Sequence, residues 1–423
     1  MKRIKAVIVG YGNRGSVYAD YSLEDKENFE VAGVVEPNLF RLQTAKERYG
    51  LSDEQVYTSL DEFLAEKPPV DVVINTTMDQ DHYHTSMDIL AAGYNMLVEK
   101  PVVNNKKELL DIANLAKKNG CTVFVCHVLR YTPFYRTVKQ MLLDGVIGDI
   151  ISMEMNEHVA IAHYLTSYCR GKWGDEDTCG SPFLLAKCCH DMDLIAWLNN
   201  GSAPAKLSSF GSRSLFVKEK MPEDATEFCY QCPHYDNCIY SAKLQYLERD
   251  DMPFLTWADL NKPLDEITME EKEEFLKHDN FGRCAYIAGG NLVDRQNLII
   301  EFENGSCAAF TLVANATKPM RHLHIVGTKG ELEGELESNK LTIRRAYQPD
   351  EVIDLSAKII NKVQFGGHSG GDHAIMEDIV AYLNGDRTSI SMTSIDDSVN
   401  GHLIVYAAEK SRKSGKTVEV LPR

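Results

Sequence analysis

Gly10-Tyr11-Gly12-Asn13-Arg14-Gly15 follows an apolar run directly and opens a helical stretch, and that placement gives an otherwise common string of glycines chemical meaning. Gly10 permits a tight turn, and Gly12 removes the side chain where a pyrophosphate must approach. Gly15 lets helix and strand pack, with the helix N-terminus facing the anion. Glu36 ends the next apolar run about 20 residues further on, where a carboxylate accepts hydrogen bonds from both hydroxyls of an adenine ribose. The same carboxylate repels a ribose phosphate. The pattern predicts a dinucleotide site that takes NAD in preference to NADP.

A second group of residues suggests a metal. Cys229-x2-Cys232-x5-Cys238 places three of the 11 cysteines within ten residues. Thiolates so spaced can wrap one tetrahedral ion, and a closed site needs a fourth ligand, for which Cys284 is the first candidate and His234 the next. Zinc is expected, with an iron-sulfur cluster as the alternative that uses similar ligands. Metal would also offset the loop entropy of a long segment that lacks a core of its own.

The elements that must position these residues differ between the two ends of the chain. Up to about residue 128, short runs rich in Val and Ile (Ala6 to Val9, Val31 to Val35, Val72 to Asn75, Met96 to Val98, Thr122 to Val125) alternate with helical stretches. Apolar strands separated by helices predict an α/β doubly wound domain with a parallel sheet. Lys106 to Lys118 carries Leu109, Leu110, Ile112, Ala113 and Leu115 at helical spacing, with Gly120 as a stop. After about residue 148, alternating strands take over (Ile151 to Glu157, Asn297 to Glu303, Cys307 to Val313, Leu323 to Val326), and Glu303-Asn304-Gly305 reads as a hairpin turn. That sheet is expected to be antiparallel. Helices are expected at Phe183 to Leu198, Gly371 to Leu383 and Ser394 to Ser414. The expected division is 1–128 and 129–423, with an irregular, charged insertion at about 217–290.

Composition narrows the partners. With 45 Lys and Arg against 62 Asp and Glu, the 423-residue chain carries a formal charge of -17 and is expected to repel nucleic acid and anionic membrane surfaces. The first apolar run spans about five residues, too short for a signal peptide core, and no apolar stretch is long enough to span a bilayer. The scattered cysteines do not form the framework of a small secreted domain, so a reducing cytoplasm is expected.

The run Tyr94-Asn95-Met96-Leu97-Val98-Glu99-Lys100-Pro101, together with the glycine loop, Glu36 and Thr77-x4-His82, resembles the glucose-fructose oxidoreductase, inositol dehydrogenase and MocA (Gfo/Idh/MocA) family. Arg130-Tyr131, the Gly145-x-x-Gly148 turn and the His190 helix extend the resemblance over nearly the whole chain. It implies a Rossmann domain followed by an α/β domain with an open, mostly antiparallel sheet, assembled as a homodimer or homotetramer. It also implies oxidation or reduction of a ring hydroxyl on a sugar, sugar derivative or cyclitol. The cofactor site implied comprises Gly10, Tyr11, Gly12, Asn13, Arg14, Gly15, Glu36, Arg41, Thr76, Thr77, His82, Glu99 and Lys100.

Such a reaction needs a titratable group within hydrogen-bond reach of the hydroxyl. Lys100 ends a parallel strand at the edge where doubly wound sheets bind ligands, and burial beside a cationic nicotinamide should lower its pKa. On the Phe183 to Leu198 helix, Leu185, Cys188, Met192 and Ile195 form an apolar stripe, while Lys187, His190 and Asp193 share a polar side. The family usually has an Asp four residues before this His; here it is Ala186. Lys100 is therefore the expected base, with His190 positioning the oxygen. His163, Arg170 and His368 are expected at the substrate, with His158 and the Gly366 to His373 loop as further candidates. Two rival functions are a glycoside-cleaving enzyme that oxidises a ring transiently with retained NAD, and a non-catalytic NAD-binding regulator.

Overall fold

The computed structural model describes residues 1–358 and 368–420. Its first sheet is built from β1 (Ile4–Val9), β2 (Phe29–Val35), β3 (Val56–Tyr57), β4 (Val72–Asn75), β5 (Met96–Val98) and β6 (Val123–Val125). All neighbours run parallel, in the order β3-β2-β1-β4-β5-β6. Adjacent residues of β1 such as Val7 and Ile8 point to opposite faces, and both are buried, as a sheet covered on both sides requires. The covering helices carry local start and stop signals. Helix α1 spans Asn13–Glu24. Helix α2 (Leu39–Tyr49) starts where the Asn38 side chain accepts from the Arg41 amide, and ends at Gly50 in the left-handed region. The two-residue β3 is absent from the sequence expectation because so short a strand leaves no periodic trace.

Strand order reverses between β1 and β4, which makes the carboxyl ends of the strands the ligand edge. Gly10 follows β1, Glu36 follows β2, Thr76 and Thr77 follow β4, and Glu99-Lys100 follows β5. The fold gathers these residues at one edge.

The second sheet comprises β7 (Ile150–Ala160), β8 (Pro204–Ser212), β9 (Arg295–Phe302), β10 (Cys307–Ala316), β11 (His322–Gly327), β12 (Glu331–Glu335), β13 (Lys340–Arg344), β14 (Glu351–Asp354) and β15 (Val418–Glu419). Its order is β14-β13-β12-β11-β7-β10-β9-β8-β15, with β7 and β10 parallel and the other pairs antiparallel. The expected hairpin joins β9 to β10, with Gly305 at φ +85. Burial alternates strictly along β9, so one face of the sheet is covered and the other is open. The Phe183–Leu198 and Ile395–Ser414 helices lie on the covered face and contribute to its core. The Gly371–Leu383 helix packs back on the first sheet, where Ile375, Met376, Ile379 and Val380 join Ile4, Ile8 and Phe124.

Between β8 and β9 the described residues form only short helical turns and one longer helix, Met269–Leu276. This insertion has its own core of Cys229, Ala242, Tyr246, Trp257, Ile267 and Leu276, contrary to the expectation that it lacks one.

Candidate active site

The glycine loop is shaped by contacts that each glycine alone tolerates. Gly10 sits at φ +87, and a Cβ there would lie 2.8 Å from the Thr76 carbonyl oxygen; a Cβ on Gly15 would lie 2.1 Å from the Gly10 oxygen. At Gly12, by contrast, a Cβ would meet nothing within 4 Å. Open space therefore lies in front of the N-cap Gly12, which has no side chain to cap the helix, leaving the first amides of α1 for an anion. These residues fit a dinucleotide pyrophosphate.

Glu36 is buried and shapes the loop from the β2 side: its Oε2 accepts from the Tyr11 amide at 2.7 Å and its Oε1 from the Asn38 amide at 2.9 Å. Tyr11 contributes that amide, while its hydroxyl turns away to Tyr49, 3.0 Å distant. Thr76 Oγ1 donates to the Gly10 oxygen at 2.5 Å, and Thr77 Oγ1 to Asn75. His82 pins two loops together through Nδ1 at 2.7 Å from the Pro101 oxygen and Nε2 at 3.0 Å from the Thr77 oxygen.

Arg14 reaches furthest. Its Nε donates to Glu99 Oε1 at 2.6 Å and its Nη2 to Asp372 Oδ1 at 2.5 Å. Burial raises the Glu99 carboxyl, but Arg14 and Lys100 outweigh it and hold the group well below its ordinary value; Arg14 and His368 do the same for Asp372. The glycine loop, the strand carrying Lys100 and the helix after His368 are thus tied by one buried ionic network.

Lys100 Nζ donates to the Ala186 carbonyl oxygen at 2.9 Å. Burial works against its charge, yet Cys189, Tyr168 and Glu99 raise its pKa overall, opposite to the expectation from burial alone. His190 shows the reverse: burial first, then the electrostatic influence of Lys100, His127 and His368, push it well below the ordinary 6.5. Its ring lies 5.8 Å from that of His368, centroid to centroid, and its Nδ1 is buried without a partner among the described residues. Lys187 Nζ lies 3.5 Å from His163 Nδ1 and 3.6 Å from Glu157 Oε1. Arg321 holds Glu157 Oε2 at 2.5 Å and Asp191 Oδ1 at 2.9 Å behind them. Burial lowers both Lys187 and His163. Lys100, His190, His163, Lys187 and His368 therefore converge, with a protonated lysine beside a neutral histidine.

Several expected site residues lie elsewhere. Asp193 is buried against Arg130 in a two-pronged pair at 2.5 and 2.6 Å, on the side of its helix facing the protein interior. Arg170 is buried beneath the insertion, donating to the Arg283 and Tyr240 carbonyl oxygens at 2.8 and 2.7 Å. His158 makes a backbone bridge to Met320. Gly366 and Gly367 lie outside the described residues.

The metal expectation is corrected. Among the described residues, no group of three or more His, Cys, Asp or Glu side chains is arranged to hold an ion. A single antiparallel bridge, Phe228 to Arg283, brings the Cys229 and Cys284 segments together, so these two with Cys232 and Cys238 share a neighbourhood. Cys229 Sγ is turned to the Arg283 oxygen and to Arg170 Nη2, each at 3.7 Å, and His234 pairs with Asp224. The insertion is held by Trp257, Tyr246 and their neighbours instead.

Comparison with known proteins decides the relationship. The family model described as the oxidoreductase family's NAD-binding Rossmann fold matches residues 4–127, and that of its C-terminal alpha/beta domain matches residues 139–420. The chain belongs to the Gfo/Idh/MocA family. It is an enzyme of the NAD-dependent oxidoreductase class. Among relatives, the oxidoreductase YteT of Bacillus subtilis (strain 168) is 22% identical over 83% of this chain and 82% of its own. Inositol 2-dehydrogenase/D-chiro-inositol 3-dehydrogenase of Lactiplantibacillus plantarum is 29% identical over 46% of this chain and 52% of its own. Levoglucosan dehydrogenase, solved with NADH and levoglucosan, shares the fold at TM-score 0.70 and 16% identity, covering 100% of both chains. The WlbA dehydrogenase solved with NADH and UDP-GlcNAcA does so at TM-score 0.68 and 16% identity, covering 100% of this chain and 97% of its own.

Proposed function

We propose that this Gfo/Idh/MocA enzyme oxidises or reduces a ring hydroxyl of a sugar, sugar derivative or cyclitol with NAD. The observation that carries the reading is the meeting of Lys100 with His190 and Ala186 at the ligand edge of the first sheet. Relatives named for an inositol, or solved with levoglucosan or UDP-GlcNAcA bound, support the substrate class. NAD, when bound, supplies the hydride acceptor. Glu36 orients the adenine ribose and disfavours NADP, and the amides of α1 hold the pyrophosphate. Lys100, as an ammonium, donates to the substrate oxygen and stabilises negative charge developing there. His190, held neutral, takes the hydroxyl proton in oxidation and returns it in reduction. This exchanges the roles expected from sequence, because burial first, and the cation at Lys100 second, keep His190 unprotonated. Lys187, His163 and His368 contact the remaining hydroxyls.

The reducing cytoplasm fits 11 unpaired thiols. A homodimer or homotetramer fits the open face of the second sheet, where Phe210 and Ile299 are 71% and 64% exposed. A panel of cyclitols, aldoses and uronates followed at the nicotinamide absorbance tests the reading: NADH should form with at least one ring alcohol. Cleavage of a glycoside without net NADH would replace it with the retained-cofactor alternative.

A further inference from the structure

The insertion does more than cover the second domain. Its Ala258–Leu260 turn follows Trp257, which is buried in the insertion core and donates from Nε1 to Asp250 at 2.8 Å. From that anchor the turn crosses to the first domain. Asn261 Oδ1 accepts from Asn38 Nδ2 at 2.9 Å, and Asp259 Oδ1 lies 3.9 Å from Arg41 Nη2. Asn38 and Arg41 begin α2, immediately after Glu36. Lys172, reaching Met78 Sδ at 3.0 Å from the second domain, lies in the field of Arg41, Asp79, Asp259 and Glu36. The loop after β2 and the loop after β4 flank the adenosine side of a doubly wound site. Residues of the second domain thus contact both.

The chemistry of this corner is specific. An arginine near the ribose is the group that accommodates a 2′-phosphate in NADP enzymes. Arg41 is such a group, and it stands opposite a carboxylate delivered by the insertion. We propose that the Asp259–Asn261 turn is a second wall of the adenosine site: Asp259 engages Arg41 so that this cation is withheld from a ribose phosphate, and Asn261 ties down Asn38 so that the dinucleotide leaves only when the turn lifts. The inference rests on Glu36 being the ribose ligand. It adds a specificity determinant that lies more than two hundred residues away in sequence, and it couples cofactor exchange to the insertion.

The test uses the full-length protein loaded with NADH, with release followed by nucleotide fluorescence after mixing with excess NAD. Asn261→Gly keeps the turn conformation and removes the contact; release should accelerate about 2- to 10-fold, the scale of one hydrogen bond. NADP affinity is then measured in Glu36→Ala with and without Asp259→Ala, where the second change should tighten NADP by about 2- to 5-fold, the scale of an exposed ion pair. Unchanged release and unchanged NADP affinity would overturn the inference. Should Glu36→Ala by itself leave the NAD preference intact, the ribose assignment fails first. Asp259 and Asn261 are exposed, so the nucleotide-free variants should melt as the parent does. A lowered melting temperature accompanying the faster release would instead assign the turn to supporting the fold.

Discussion

The charge states of Lys100 and His190 govern the proposed chemistry. Replacing either by Ala should leave NAD affinity nearly unchanged, because the glycine loop and Glu36 hold the far half of the dinucleotide. Turnover should fall by about 10² to 10⁴, as loss of a proton-handling or charge-stabilising group does. The pH profile of kcat/KM separates the roles. His190→Ala should abolish the acid limb. Lys100→Ala should shift that limb to higher pH, because the Lys100 charge depresses His190 and its removal lets the imidazole pKa rise. A limb that stays in place in Lys100→Ala would contradict this coupling. The glycine loop, Glu36, Lys100 and His190 were readable from sequence because each sits at a fixed offset from a strand or within one helix. The Arg14 to Asp372 pair was not: its partners are distant in sequence and meet only because a late helix returns to the first sheet.

At the scale of elements, the Phe183–Leu198 helix shows where periodicity misleads. A helix covered on one side would have a wet polar face, whereas nearly every residue of this one is buried, so its charges had to find partners inside. Lys187 found His163 and Glu157, and Asp193 found Arg130, a distinction that spacing alone cannot make. Asp193→Asn leaves the Arg130 charge buried without its counter-ion and should cost about 3 to 5 kcal/mol in a denaturant titration. The folded fraction should keep its NAD affinity; a variant as stable as the parent would return Asp193 to the list of functional candidates. The insertion was visible as an interruption of pattern, but its core was not, because Tyr246, Trp257 and Leu276 come from separate turns with no shared period. The cysteine spacing was legible as a pattern, but the described residues do not gather it into an ion site, and Cys229 packs into that core.

At the scale of the whole molecule, burial of neutral histidines sets an acid limit. His127, His163, His190 and His402 are all lowered from 6.5, burial being the first cause in each. Below 6.5 these four histidines bind more protons in the unfolded chain than in the folded one, so their contribution to stability falls as pH falls through that window, against a smaller opposing contribution from the buried, raised carboxyls of Asp191 and Asp193. Glu99 and Asp372, lowered by their ion pairs, add a further loss only below their ordinary 4.5 and 3.8. Melting temperatures should therefore decline from pH 6.5 downward, and His127→Phe should flatten the slope between 6.5 and about 5. A slope identical to the parent's would mean that His127 takes no part. The open sheet face carries a separate expectation: if the proposed homo-oligomer forms through it, the parent should sediment as an oligomer and Ile299→Glu as a monomer with the NAD site intact, whereas equal sedimentation coefficients would remove this face as the interface. Hydride transfer from a ring alcohol at Lys100 and His190 is checked by NADH formation on the best alcohol of a substrate panel, compared between the parent and Lys100→Ala, both saturated with NAD. NADH should form with the parent, and at a rate lower by about 10² or more in the variant; equal rates would show that the chemistry takes place somewhere else.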